Sequence, residues 1–204
     1  MDAKDYIKLI EVHKKELNEL MRRKLPIIVG RIAKDHYQDN FRKGGFVHNG
    51  LQKWPVTMRQ RSGSKSAAAK YGPLLSKNKH LFSSIKYMPR EYRVKVSNEV
   101  PYAAIHNEGG TITTHPTVTP KMRKMAWARV YAITGIKAKG KKKNKLPKEL
   151  PAEAKKWKWL ALTKKAKLDI KATIPQRRFL GESAELTKKI NDKIEQEVTK
   201  ILKL

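Results

Sequence analysis

The apolar residues of this 204-residue chain change their spacing along the sequence, and this change constrains the fold more than any other feature. At both ends they recur every three or four residues, whereas in the middle they alternate with polar residues. The spacing of three or four residues predicts amphipathic helices within 2–43 and after Ser183. Pro26 favours two successive helices in the N-terminal region, the second of which ends at Gly44 and Gly45.

Alternating segments follow a stretch rich in Gly, Pro and Ser over residues 46–78, which we interpret as a long loop with short ordered pieces. The segments SIKYM (84–88) and YRVKV (92–96) predict a β-hairpin. TITTHPTV (111–118) and LDIKATIP (168–175) predict two further strands. Strands and helices do not alternate strictly, so a parallel sheet is disfavoured.

Two more helices are predicted, over 119–135 and within 152–167, the first of them capped by Thr119 and Pro120. The resulting fold class is α+β. We expect a small, mainly antiparallel sheet packed with several helices, long N-terminal and C-terminal helices, and a flexible basic arm.

The length suits a single domain over 1–204. Within it we expect an N-terminal helical region, a sheet-containing core and a basic arm. The N-terminal helical region covers 2–43, the sheet-containing core covers 81–135 and 168–204, and the basic arm covers 136–150.

The charge of the chain predicts a polyanionic partner. Lys and Arg number 47 against 18 Asp and Glu, a formal net charge of +29. Residues 119–167 hold seventeen of the basic residues and only two acids. Trp127, Trp157 and Trp159 lie among these lysines and could stack on bases, but large aromatic side chains are mostly buried, so we favour a core position for each.

No complete catalytic or metal-binding motif is present. His106 and Glu108 form an H-x-E pair, but the zinc deaminases that use this pair also need cysteines, and the chain has none. A metal-dependent nuclease would need carboxylates near its histidines, yet the only acid between residues 41 and 95 is Glu91. We therefore predict no catalytic residue, no metal site and no cofactor. The N-terminus lacks the apolar core of a signal peptide, and no apolar run is long enough to span a membrane.

Six segments resemble, in the same order, the phage virion morphogenesis family, which comprises the tail-completion or neck proteins of Mu-like and related tailed phages. The segments are NFRKGGF (40–46), KWP (53–55), LLSKNKHLFSSI (74–85), VPYAAIHNEGG (100–110), WKWLALTKKAK (157–167) and IPQRRFLG (174–181). The patterns Y-A-x-x-H-x-x-G-G and I-P-x-R-x-F-L-G are the most specific. The chain departs from the family at residues 77–79, where the family has Thr-Gly, and in its lysine-rich arm.

The resemblance implies a non-enzymatic structural protein that acts at the head–tail junction or tail end of a tailed phage, as a tail completion, neck or terminator protein. It implies an oligomeric ring, other neck and tail proteins as partners, and contact with packaged DNA through phosphates. The location would be the virion, and the host cytoplasm during assembly. Two alternatives from the residues stay open: a nucleic-acid-binding protein without sequence specificity, and a metal-dependent nuclease, which the missing carboxylates disfavour.

The two specific patterns predict a structural corner rather than a catalytic site. Gly109 and Gly110 permit the positive φ that would reverse the chain, and we expect the His106 side chain to hydrogen-bond within the corner, with Tyr102 packed beneath it. Phe179 would anchor the second pattern, next to arginines available to carboxylates or phosphate. The predicted structural residues are Tyr102, His106, Gly109, Gly110, Pro175, Arg177, Phe179 and Gly181.

The basic arm is the predicted DNA contact. It is rich in lysine, contains no acid before Glu149 and has few apolar side chains to bury, so we expect it to stay flexible without a bound polyanion. The predicted contact residues are Lys137, Lys139, Lys141, Lys142, Lys143 and Lys145.

Overall fold

The structure is a computed structural model that describes residues 2–61, 65–136 and 146–202. It has an α+β fold, which confirms the predicted class. The helices of the described residues are α1 (Ala3–Glu19), α2 (Leu25–Lys43), α3 (Met58–Arg61), α4 (Ala67–Lys70), α5 (His80–Ser83), α6 (Ala103–Glu108), α7 (Pro120–Thr134), α8 (Ala152–Leu162) and α9 (Ala184–Leu202). The strands are β1 (Gly45–Val47), β2 (Leu51–Lys53), β3 (Ile85–Arg90), β4 (Arg93–Asn98), β5 (Gly110–Thr114) and β6 (Ile170–Ile174).

The N-terminal region contains the two predicted helices, α1 and α2, and Pro26 lies in the first turn of the second, as predicted. A π-helical turn, Leu20–Lys24, joins α1 to α2. Pro26 has no N–H, so the carbonyl of Arg22 lacks its usual helical donor. That carbonyl instead accepts the N–H of Tyr92, at the tip of the β3–β4 hairpin, at 3.2 Å. The hairpin tip thus replaces the hydrogen bond that the proline removes, and the helix continues.

The strands form three separate pairs, in place of the single sheet that the sequence predicts. β1 pairs with β2, β3 with β4, and β5 with β6. The predicted hairpin is confirmed, with Ile85 opposite Asn98 and Arg90 opposite Arg93. The third predicted strand does not join it.

Close contact with α2 positions the β3–β4 hairpin. A Cβ at Gly30 would overlap the ring of Tyr87, so this glycine lets the ring lie directly on the helix backbone. α2 then ends at Gly44, whose φ of 66° is left-handed, as the sequence predicts for its C-terminus.

The chain divides into two compact units. The first consists of Met1–Gly110 and Ile174–Leu204, and the second of Thr111–Thr173. Aromatic residues dominate the core of the first unit, where Phe41, Trp54 and Phe179 meet. In the second, α7 packs against α8, and both helices bury alanines, including Ala126 and Ala154. The predicted single domain over 1–204 stays a prediction.

Candidate functional site

The residues of the two specific patterns come together in the first unit as a turn of helix facing an extended segment. We call the residues 102–110 and 174–181 the corner. α6 ends at Gly109, with φ 75° and ψ −178°, and Gly110 follows with φ 138°. A Cβ at Gly109 would lie only 2.8 Å from the backbone N of Gln176. The glycines therefore serve both the predicted chain reversal and the close approach of the two segments.

Hydrogen bonds join the two segments across this approach. The N–H of Arg177 donates to the carbonyl of His106 at 2.8 Å. The Asn107 side-chain oxygen accepts two backbone N–H groups, those of Phe179 and Leu180, each at 2.9 Å. This structural role of Asn107 was not predicted from the sequence, which offered the His106-Asn107 pair only as a candidate for nuclease chemistry. The only available signal was its place just before a Glu-Gly-Gly turn, where a short amide side chain often bonds to backbone.

Phe179 anchors the second segment, as predicted, because its ring is completely buried and lies 5.1 Å from the ring centroid of Phe41. Three side chains of the first unit also donate to backbone carbonyls of this segment. Trp54 Nε1 donates to Arg178 at 2.8 Å, Tyr37 Oη to Gly181 at 2.9 Å, and Asn40 Nδ2 to Phe179 at 3.3 Å. Pro175 is exposed beside β6.

His106 does not form the predicted side-chain hydrogen bond through Nδ1. This atom is buried and has no partner among the described residues. Burial first, and then the charge of Arg177, lowers the pKa of His106, so the ring favours its neutral form. The ring meets that of Tyr102 edge to face, with 6.0 Å between centroids. Tyr102 in turn bonds to Nδ1 of His80 through its hydroxyl at 2.7 Å.

The two arginines of the corner have different environments. Arg177 is only 7% exposed, and its Nε donates to the carbonyl of Pro55 at 3.1 Å. Burial first, and then the charge of Arg59, lowers the pKa of Arg177. Arg178 is exposed, and its guanidinium lies over the ring of Phe46, 5.1 Å from the centroid.

The second unit carries an exposed aromatic residue among lysines. Trp159 of α8 is 55% exposed and Leu162 is 56% exposed, so the core position that the sequence favours is wrong for Trp159. Trp127 and Trp157 are half-buried, and Trp127 stacks on Tyr131 with 5.9 Å between centroids.

Trp159 and Leu162 lie in a groove of about 540 Å³ that we call the lysine groove. Among the described residues, four lysines and no acid line it. The lysines are Lys148, Lys155, Lys158 and Lys164. An apolar platform with a purely cationic rim suits a ligand that combines flat rings with phosphates.

The six lysines predicted to contact DNA, from Lys137 to Lys145, lie outside the described residues. Of the predicted basic arm, Lys148 is described, and it is exposed.

A second histidine, nine residues after His106, has one carboxylate beside it. His115 Nδ1 lies 2.6 Å from Asp169 Oδ1, an exposed pair within the second unit. Across residues 2–61, 65–136 and 146–202, no group of three or more His, Cys, Asp or Glu side chains could hold a metal ion. None of the described helices is long and apolar enough to cross a membrane.

The chain matches no model of a known protein family, no curated protein and no solved structure.

Proposed function

We propose that this protein is a non-enzymatic structural component of a tailed phage, acting at the head–tail junction or tail end as a homo-oligomeric ring with a basic surface towards DNA. One observation carries the proposal. The two motif segments on which the family resemblance rests hydrogen-bond to each other, through the N–H of Arg177 and the carbonyl of His106 and through the side-chain oxygen of Asn107. Because these polar groups bond to each other, they support a structural role, whereas the polar groups of a catalytic site would face a substrate.

The exposed face of α1 supports self-association. α1 is seventeen residues long and has no buried residue. Its apolar side chains Tyr6, Ile7 and Ile10 are 58%, 57% and 49% exposed. An amphipathic helix usually buries its apolar stripe, and a second copy of the chain would cover this one.

The lysine groove supports contact with nucleic acid, and it also favours the second candidate function, a nucleic-acid-binding protein without sequence specificity. Backbone phosphates would pair with the lysines while a base stacks on Trp159. Neither contact reads the sequence of a base pair, so we expect affinity to depend on salt and little on sequence.

Mass photometry and negative-stain imaging of the purified protein, alone and with phage tail tubes, test the assembly. We expect a ring, or a cap at the tube end. Replacing Tyr6, Ile7 and Ile10 together with serine should reduce the particle to a monomer with unchanged helix content by circular dichroism. A parent protein that stays monomeric with and without tubes would contradict the proposed assembly.

Salt-dependent binding to oligo(dT) tests the lysine groove. Changing Lys155, Lys158 and Lys164 to glutamine should lower the log–log slope of affinity against salt by about 2, since each phosphate of single-stranded DNA that is no longer neutralised removes about 0.7. The matched control changes three exposed lysines of the first unit to glutamine, Lys77, Lys86 and Lys95. Equal losses of affinity in both variants would mean that only net charge matters and that the groove is not a site.

The nuclease alternative has a separate test. Plasmid nicking with Mg²⁺ or Mn²⁺ that disappears in both His106→Ala and His115→Ala would replace the structural proposal with an enzymatic one.

A further inference from the structure

A cavity of about 290 Å³ opens beside the corner, within the first unit. Its polar lining consists of side chains that can donate hydrogen bonds, and no Asp or Glu lines it. These side chains are Thr57, Arg59, Ser76, His80, Tyr102, His106 and Arg177. Leucines complete the wall. We call this space the Arg177 cavity.

Arg177 is a buried cation in this cavity without an acidic partner. Its side chain is more than nine-tenths buried, and its one side-chain hydrogen bond to another described residue goes to the neutral carbonyl of Pro55. A buried charge is costly unless an opposite charge accompanies it. Every Asp and Glu of the chain lies among the described residues, and none of them forms an ion pair with Arg177.

A second guanidinium lies on the wall of the same cavity. Arg59 donates through Nη2 to the carbonyls of Gly72 and Leu75, at 2.7 and 2.6 Å, which fixes its position. The charge of Arg59 contributes to the lowered pKa of Arg177. Two like charges in one pocket repel each other, and an anion between them would turn this repulsion into attraction on both sides.

His106 adds an unused polar atom. Its Nδ1 is buried and has no partner among the described residues, although buried polar groups are nearly always hydrogen-bonded. The hydroxyl of Tyr102 and the ring of His80 already bond to each other at 2.7 Å beside it. The cavity thus combines fixed cations, polar donors and one orphaned nitrogen around a volume suited to a small ligand.

We propose that the Arg177 cavity binds a phosphate group, held by the guanidinium groups of Arg177 and Arg59. Arginine forks match the oxygen pairs of phosphate. A phosphate has four oxygens and can accept from both guanidiniums at once, whereas a carboxylate has only two oxygens. The further oxygens of the phosphate can accept from Ser76, and from His106 when Nδ1 carries a proton. This site is separate from the lysine groove, which belongs to the other unit.

Isothermal titration with inorganic phosphate, at constant ionic strength and pH 7.5, tests the site. We expect one phosphate per chain and an affinity at least about tenfold weaker in Arg177→Gln, since a charge-assisted pair is removed. Arg178→Gln is the matched control, because it removes the same charge from the adjacent, exposed residue. It should bind phosphate as the parent does.

Two further variants keep the test informative if Arg177→Gln fails to fold. Ser76→Ala changes an exposed wall residue, and His106→Gln replaces the orphaned nitrogen. Each should weaken phosphate binding several-fold while Arg178→Gln does not. No saturable binding by the parent, equal weakening in Arg178→Gln, or tighter binding of acetate than of phosphate would each overturn the proposal.

Competition distinguishes the sources of the phosphate. A short oligo(dT) with a 5′-phosphate and the same oligomer with a 5′-hydroxyl are each tested for displacement of inorganic phosphate. Displacement by the phosphorylated oligomer alone identifies a terminal phosphate monoester as ligand, and displacement by neither identifies a free small phosphate. Displacement by both to the same extent would overturn the proposal, since the cavity would then respond to backbone charge in general.

Discussion

Replacing Gly109 with alanine should be among the most destabilising small changes in the first unit. With φ 75° and ψ −178°, this residue lies in a region that is essentially restricted to glycine, where another residue costs about 1–3 kcal/mol. The added Cβ would also lie 2.8 Å from the backbone N of Gln176. The Gln176 backbone cannot retreat without disturbing the neighbouring hydrogen bond from Arg177 to His106. Such overpacking costs a further ~1–3 kcal/mol, so we expect a total loss of about 3 kcal/mol or more.

Gly44→Ala is the matched control, because it separates backbone conformation from close approach. Gly44 also has a positive φ, 66°, but the nearest atom to its added Cβ is Pro73 Cδ at 4.0 Å. We expect it to lose only about 1 kcal/mol, the ordinary cost of a left-handed conformation.

Urea denaturation followed by circular dichroism measures both variants. With a slope of ~2 kcal/mol/M, the midpoint should fall by about 1.5 M for Gly109→Ala and by about 0.5 M for Gly44→Ala. Equal shifts of the two midpoints would refute the reasoning, since they would mean that the approach of Gln176 to Gly109 contributes nothing.

Three further outcomes are expected. Asn107→Ala should lower the free energy of unfolding by about 2–4 kcal/mol, because two backbone donors lose their acceptor. Asn107→Asp keeps an acceptor oxygen and should lose less stability. Urea midpoints measure both variants. Burial first lowers the pKa of His36 and of His106, so the unfolded chain takes up protons before the folded one as the pH falls below about 6.5. Stability should therefore fall between pH 7.5 and 5.5, and less steeply in the double variant with glutamine at both positions. Changing all seven lysines of residues 136–150 to glutamine should lower the log–log slope of DNA affinity against salt by ~0.9 for each duplex phosphate that the arm no longer neutralises. The melting temperature should stay nearly unchanged. Failure to form rings at unchanged DNA affinity would instead indicate that the arm binds a neighbouring subunit.

Features set by local chemistry could be predicted from the sequence. The N-terminus of α7 is an example, because Thr119 accepts the N–H of Met122 at 3.2 Å and Pro120 occupies the first turn. The end of this helix at Gly135 and the positive φ of Gly109 follow from the same kind of information. In each case the residue type alone restricts the backbone, and no distant partner is needed.

Features that depend on distant partners could not be predicted. Pro26 indicates the first turn of α2, but it does not indicate that the carbonyl of Arg22 accepts the N–H of Tyr92 from the hairpin. The exposure of Trp159 depends on how α8 packs, since its spacing within the helix would equally suit a buried position. The sequence predicts that Arg177 is available to anions, but it does not predict that Arg177 is buried with Arg59 close enough to lower its pKa.

The two candidate anion sites differ in how their charges are held, and this difference decides how each should respond to salt. The lysines of the lysine groove are mainly exposed, so their attraction to a polyanion should weaken steadily as salt rises. Arg177 is buried, and screening reaches a buried pair much less. Phosphate binding in the Arg177 cavity should therefore persist at salt concentrations that release oligo(dT) from the parent protein. If both affinities fell with the same slope, the cavity would be acting through the net charge of +29, and its burial would confer no specificity.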